Sequence, residues 1–198
     1  MMNTTTNGIS GVLELAGKRP DIAFVDKSFA KLHEFYISGS INEAEEYAHI
    51  FNVLRNCNEV DTVKLYINSG GGSLWTALQF VVAIKECPAQ VIAQADGACL
   101  SAATMIFLAA DTQVISPFSL FMIHTYSGVV GGKGGEIQAQ VKMERQWCET
   151  ILSGNYTDFL TSDEIVAIIN GQDLWLTPND VIKRLNVRTK ARDKSSKH

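Results

Sequence analysis

At 198 residues, with 46% hydrophobic and 19% charged residues, the chain holds enough apolar material for one well-packed domain and too little length for two. Its net charge of -4 denies it the dense basic field that nucleic-acid binding requires. The opening residues, Met1 to Asn7, are polar and lack a secretory core, and no uncharged run reaches the roughly 30 Å of a bilayer, so a cytoplasmic protein without membrane or nucleic-acid partners is expected.

Residues 1–30 are interrupted by Gly8, Gly11, Gly17 and Pro20 and read as an N-terminal arm; residues 31–188 read as the single folded domain. A short strand over 35–39 leads through Asn42, an expected N-cap, into a helix on which Ala44, Tyr47, Ala48, Phe51 and Leu54 recur with helical period. Val63, Leu65 and Ile67 then alternate as in a strand, and Ser69-Gly70-Gly71-Gly72 predicts a turn into a helix bearing Ala77, Leu78, Val81 and Val82. The unit recurs with a strand over 91–95, a turn at Asp96-Gly97 and a helix of small residues over 101–110. Two more strands are expected over 112–115 and 119–124. A glycine-rich segment over 127–135 follows, then a long helix over 136–160, a short helix after Ser162, and a helix opened by Thr177-Pro178. Residues 189–198, with four basic side chains and no apolar period, read as a solvated basic tail. Strands alternating with helices at this spacing predict an α/β fold with a mostly parallel sheet.

Few positions carry chemistry. Ser101 opens a helix whose free amides favour developing negative charge, which suits a nucleophile, although most serines placed there simply cap the helix. Gly70, Gly71 and Gly72 let backbone approach a substrate closely and aim amides at an oxygen; the Lys-Ser/Thr ending of a phosphate loop is missing. His124 ends an apolar strand and is the one histidine placed to act as a base, since His33, His49 and His198 fall before a strand, on a polar helix flank and in the tail. Cys57, Cys87, Cys99 and Cys148 form no metal or redox spacing and read as buried reduced thiols, with Cys99 the rival nucleophile two residues before Ser101.

Taken together, Leu65-Tyr66-Ile67-Asn68-Ser69-Gly70-Gly71-Gly72, the segment 97–110 around Ser101, and Phe121-Met122-Ile123-His124 resemble, in order, three signature blocks of the Clp protease proteolytic subunit. Asp173-Leu174-Trp175-Leu176-Thr177-Pro178 is similar to the block that holds the triad acid, and the likeness runs over 35–187. The resemblance implies a crotonase-like fold of repeated β-β-α units with a protruding strand-helix handle, here over about 125–160. It implies a serine endopeptidase in which Ser101 is the nucleophile, His124 the base and Asp173 the acid, with the amides of Gly72 and Ala102 as oxyanion hole and Gly70 and Gly71 as the supporting loop. Three departures stand out: Gly70 where the family usually has proline, which loosens the loop; Ala102 where methionine is common; and Thr125-Tyr126 in place of a Gln-Pro pair, which reshapes the mouth of the site.

The same resemblance implies polypeptide substrates, a homo-oligomer of two stacked heptameric rings interlocked by the handle, no cofactor of its own, and a possible AAA+ unfoldase partner that consumes the ATP. Other readings on the same fold are a crotonase-like acyl-CoA enzyme, against which the retained Ser101, His124 and Asp173 argue, and a capsid-maturation or signal-peptide-type peptidase. A catalytically inactive regulatory ring subunit is the reading from a different class.

Overall fold

Val63, Leu65 and Ile67 are fully buried while their neighbours are not, the period-two pattern of a pleated strand packed on one face. In the computed structural model, which describes residues 29–195 and side chains through residue 189, this strand is the second of six in one sheet. β1 (Leu32–Ile41), β2 (Thr62–Gly72) and β3 (Gln90–Leu100) run parallel side by side, and β3 also pairs in parallel with β4 (Thr112–Ile115) and β5 (Leu120–Ile123). β6 (Leu174–Leu176) closes the sheet antiparallel to β5. The expected mostly parallel α/β architecture is what forms.

The helices follow from burial as directly. α1 (Ala48–Asn56) buries Ile50, Phe51 and Leu54, and α2 (Leu74–Lys85) buries Ala77, Phe80, Val81 and Ile84 against the same sheet. α3 (Ala102–Ala109) is buried all round from Ala102 to Leu108, so its small residues serve close packing at the centre of the molecule. α4 (Gly134–Asn155), α5 (Ser162–Ile169) and α6 (Pro178–Ser195) complete the chain. None of the helices among the described residues is long and apolar enough to cross a membrane.

Several local expectations are corrected. Ser69 to Gly72 is not a turn but the end of β2, still paired with β1 through Ser40–Gly71 and Ile41–Gly72. Asp96-Gly97 is not a turn either, because β3 runs straight through it and changes partner there. Its first half pairs with β4 (Ile92–Thr112 to Ala95–Ile115) and its end with β5 (Ala98–Leu120 to Leu100–Met122). Asn68 Oδ1 accepts the Ala98 amide at 3.0 Å, and a side chain at residue 97 would come within 2.7 Å of that oxygen, so the glycine makes room for a bridge between strands. Asn42 does not cap the first helix. Glu43 holds the N-cap of a 3-10 turn (Ala44–Tyr47) without a side-chain bond, and Asn42 Nδ2 donates instead to Glu46 at 3.0 Å. Residues 124–133 form no strand, so the handle consists of α4 and the segment before it, and the helix ends at Asn155 rather than at residue 160. Residues 189–195, read as tail, continue α6. The arm expected over 1–30 lies almost wholly outside the described residues.

Candidate active site

The C-terminal ends of parallel strands are where open α/β sheets present their chemistry, because backbone amides and helix N-termini converge there. Three ends meet here: Gly72 ends β2, Ser101 follows β3, and His124 follows β5. Ser101 keeps one bond of the sheet, its amide donating to the Met122 carbonyl at 2.7 Å, and this fixes its height relative to β5. His124, two residues beyond Met122, then places Nε2 2.6 Å from Ser101 Oγ. Asp173 arrives by the antiparallel pairing of β6, since Ile123 opposes Leu174 at the end of the ladder and His124 and Asp173 are the residues just beyond that pair. Its Oδ1 stands 4.0 Å from His124 Nδ1, beyond hydrogen-bond length, with the carboxylate side chain half exposed. The structure therefore brings Ser101 and His124 into contact and leaves Asp173 adjacent but not bonded.

Ser101 holds φ 53° and ψ -126°, a region that L side chains seldom occupy, at the junction of strand and helix. The strain turns Oγ out of the helix toward His124 instead of letting it cap α3, whereas on the neighbouring helix α2 the N-cap Ser73 accepts from the Thr76 amide. The Ser101 carbonyl is fastened from below: Thr104 donates to it from its amide at 2.9 Å and from Oγ1 at 2.6 Å. Tyr156 Oη lies 2.6 Å from Thr104 Oγ1 and extends the chain of hydroxyls to the end of α4.

The glycine loop lies directly against the serine. Gly71, at φ +94°, approaches so closely that a Cβ would stand 2.7 Å from Ser101 Cβ and 3.1 Å from the Ala102 nitrogen. Absence of that side chain keeps the Ala102 amide approachable. Gly72, at φ +148°, passes Ile41, whose carbonyl oxygen would be 2.2 Å from a Cβ, and it lines the same cleft as Ser101 and Ala102. Gly70 has open space where a side chain would go. The Gly71 amide donates to Ser69 Oγ at 3.1 Å, and Ser69 Oγ donates to the Gly39 carbonyl at 2.6 Å, so the loop is anchored to β1.

A cleft of about 1020 Å³ opens in front of these groups. One face of α4 supplies its far wall, with Glu144, Trp147, Cys148, Ile151 and Leu152 spaced three and four apart. Trp75 at the start of α2 stacks on Trp147 across the cleft, with ring centroids 4.5 Å apart and planes at 28°. Sequence reasoning missed Trp75, Trp147 and Tyr156; the i, i+3, i+4 recurrence on α4 was the available signal. Cys99, the rival nucleophile, is fully buried, and burial pushes its thiol well above the ordinary range, which disfavours a thiolate. Cys148 is buried as expected, whereas Cys57 and Cys87 are half-buried and face each other with sulfurs 3.5 Å apart. His33 and His49 are occupied elsewhere, beside Asp61 at 3.3 Å and edge-on to Phe35.

Comparison with known proteins points one way. The family model described as Clp protease matches residues 26–183. The proteolytic subunit 2 of the ATP-dependent Clp protease of Pseudomonas aeruginosa is 21% identical over 165 residues, covering 77% of this chain and 78% of that protein. A solved structure of a ClpP1 point mutant from Listeria monocytogenes superposes with a TM-score of 0.64 at 24% identity, over 77% of this chain and 86% of the other, a likeness of fold.

Proposed function

Since the chain belongs to the Clp protease family, we propose that it is a serine endopeptidase subunit that cleaves peptides and unfolded polypeptides through an acyl-enzyme. The observation that carries this reading is the 2.6 Å approach of His124 Nε2 to Ser101 Oγ at a strained strand-helix junction. Ser101 attacks the peptide carbonyl, and His124 takes the hydroxyl proton and returns it to the leaving amine. Water, deprotonated by the same imidazole, then releases the acyl group. The amides of Gly72 and Ala102 hold the developing oxyanion, with Gly70 and Gly71 as the loop that supports them. Removing one donor of this kind typically lowers turnover by about 10²–10³. Asp173 orients the imidazole and stabilises its charged form once it closes the 4.0 Å gap by roughly 1 Å.

In this reading the protein assembles as two stacked heptameric rings in the cytoplasm and encloses its sites. The chain needs no cofactor, and an AAA+ unfoldase uses ATP to deliver large substrates. One observation favours a second reading, an inactive regulatory ring subunit: Asp173 is unbonded and half exposed.

A fluorophosphonate probe separates the two. Stoichiometric modification mapped to Ser101, absent in Ser101→Ala, is the expected result; an assembled protein that resists the probe is the regulatory subunit.

A further inference from the structure

The cleft beside Ser101 is lined by three carboxylates, Glu43, Glu46 and Glu144, and among the described residues by no lysine or arginine. None of the three forms an ion pair among the described residues. Glu46 accepts from Asn42 Nδ2 at 3.0 Å and Glu144 from Gln140 Nε2 at 2.8 Å, both neutral donors. Arg145, next to Glu144, is engaged outside the cleft by Glu149 at 3.6 Å and by Asn170 at 2.9 Å. Uncompensated carboxylates in a concave, partly apolar wall focus a negative potential into the space where a polypeptide must lie.

Beside them stands an aromatic surface without a partner cation among the described residues. Trp75 is 70% exposed although it stacks on Trp147. Among the described residues the cations that lie over aromatic rings are Lys64, over Tyr66, and Arg184, over Phe159. The first turn of α2, which bears Trp75, is tied to the residue just before Glu43, the N-cap of the 3-10 turn that bears Glu46, since Thr76 Oγ1 donates to the Asn42 carbonyl at 2.7 Å. An open indole in the same cleft as carboxylates without a cation partner among the described residues is the chemistry that binds a guanidinium or ammonium, and a planar guanidinium stacks the better of the two.

We propose that this cleft selects polypeptide segments carrying an arginine or lysine near the scissile bond, the cation lying on Trp75 and paired with Glu43 and Glu46. The inference deepens the peptidase reading and rests on it for the cleavage that follows, but binding alone decides it.

The test uses the assembled Ser101→Ala protein and pairs of hexapeptides, identical except for arginine or its neutral isostere citrulline, at each position in turn. Calorimetric titration should show the arginine peptide binding about tenfold more tightly at one position, an advantage that shrinks as salt is raised. The advantage should vanish in Glu43→Gln/Glu46→Gln and fall about threefold in Trp75→Leu. Because both glutamates are exposed, the first pair of changes leaves the fold intact. Equal affinity at every position, a preference that survives the double glutamine variant, or no binding of either peptide overturns the proposal. Fluorophosphonate labelling of the unmodified protein is read in parallel: its failure refutes the peptidase reading alone, and the peptide comparison still decides this one.

Discussion

Gly71 and Gly70 are neighbours with opposite demands. A methyl group at Gly71 meets Ser101 Cβ and requires a left-handed backbone, so Gly71→Ala should cost about 1–3 kcal/mol and lower fluorophosphonate labelling at least tenfold. Gly70→Ala points into open space and should leave both the thermal midpoint and labelling nearly unchanged. Equal effects at the two positions would refute the close approach of the loop to Ser101. At the residue scale the matched blocks pointed to Ser101, His124 and Asp173, and the structure sets His124 against Ser101 with Asp173 nearby. What could not be read was their spacing. The 2.6 Å contact depends on a backbone bond between Ser101 and Met122, and the 4.0 Å gap depends on the pairing of a three-residue strand fifty residues downstream.

Elements were legible where one pattern decided them and illegible where long-range pairing did. α1 and α2 show their helical period, and β2 its alternation, because those residues face a single core. The glycines of Ser69 to Gly72 and Asp96-Gly97 look like turns from their own chemistry, yet each lies in a strand, kept small so that another backbone or an Asn68 side chain can come near. The hydroxyl chain from Tyr156 through Thr104 to the Ser101 carbonyl joins the end of α4 to the start of α3. Tyr156→Phe should therefore destabilise the protein by about 0.5–1.5 kcal/mol, measured by denaturant unfolding, and slow Ser101 labelling more than a distant core change of equal cost. Between α5 and α6 the Arg184 guanidinium donates to both carboxylate oxygens of Glu164, at 2.6 and 2.9 Å, and lowers that carboxyl to about 2 from 4.5. A depressed carboxyl stabilises the folded state fully above its unfolded value and loses that contribution as pH falls through the folded one. The difference in thermal midpoint between the protein and Glu164→Gln should thus be constant near neutrality, shrink below about pH 4.5 and disappear near about pH 2. A pH-independent difference would show that the pair does not form.

At the scale of the whole molecule, the surface carries apolar side chains that a lone subunit leaves to solvent, among them Phe118 at 94% exposure, Leu120 on β5 and Trp175 on the edge strand β6. The proposed double ring would cover part of this surface, and sedimentation equilibrium should return about fourteen times the 21.7 kDa of one chain; a monomer at micromolar concentration would refute the assembly. Parallel order and the position of the site at the strand ends follow from the alternation of strands and helices along the chain, whereas the sixth strand, β6, which reads as a loop in the sequence, and the change of partner along β3 are properties of the sheet as a whole. The backbone of Ser101 has a last consequence at this scale. Its left-handed conformation stores roughly 1–3 kcal/mol in every folded copy, held there by the packing of the rest of the domain. In the proposed peptidase, function would be a defect that the fold tolerates, and a variant relieved of it, Ser101→Gly, should be inert toward the probe and yet outlast the unmodified protein on heating.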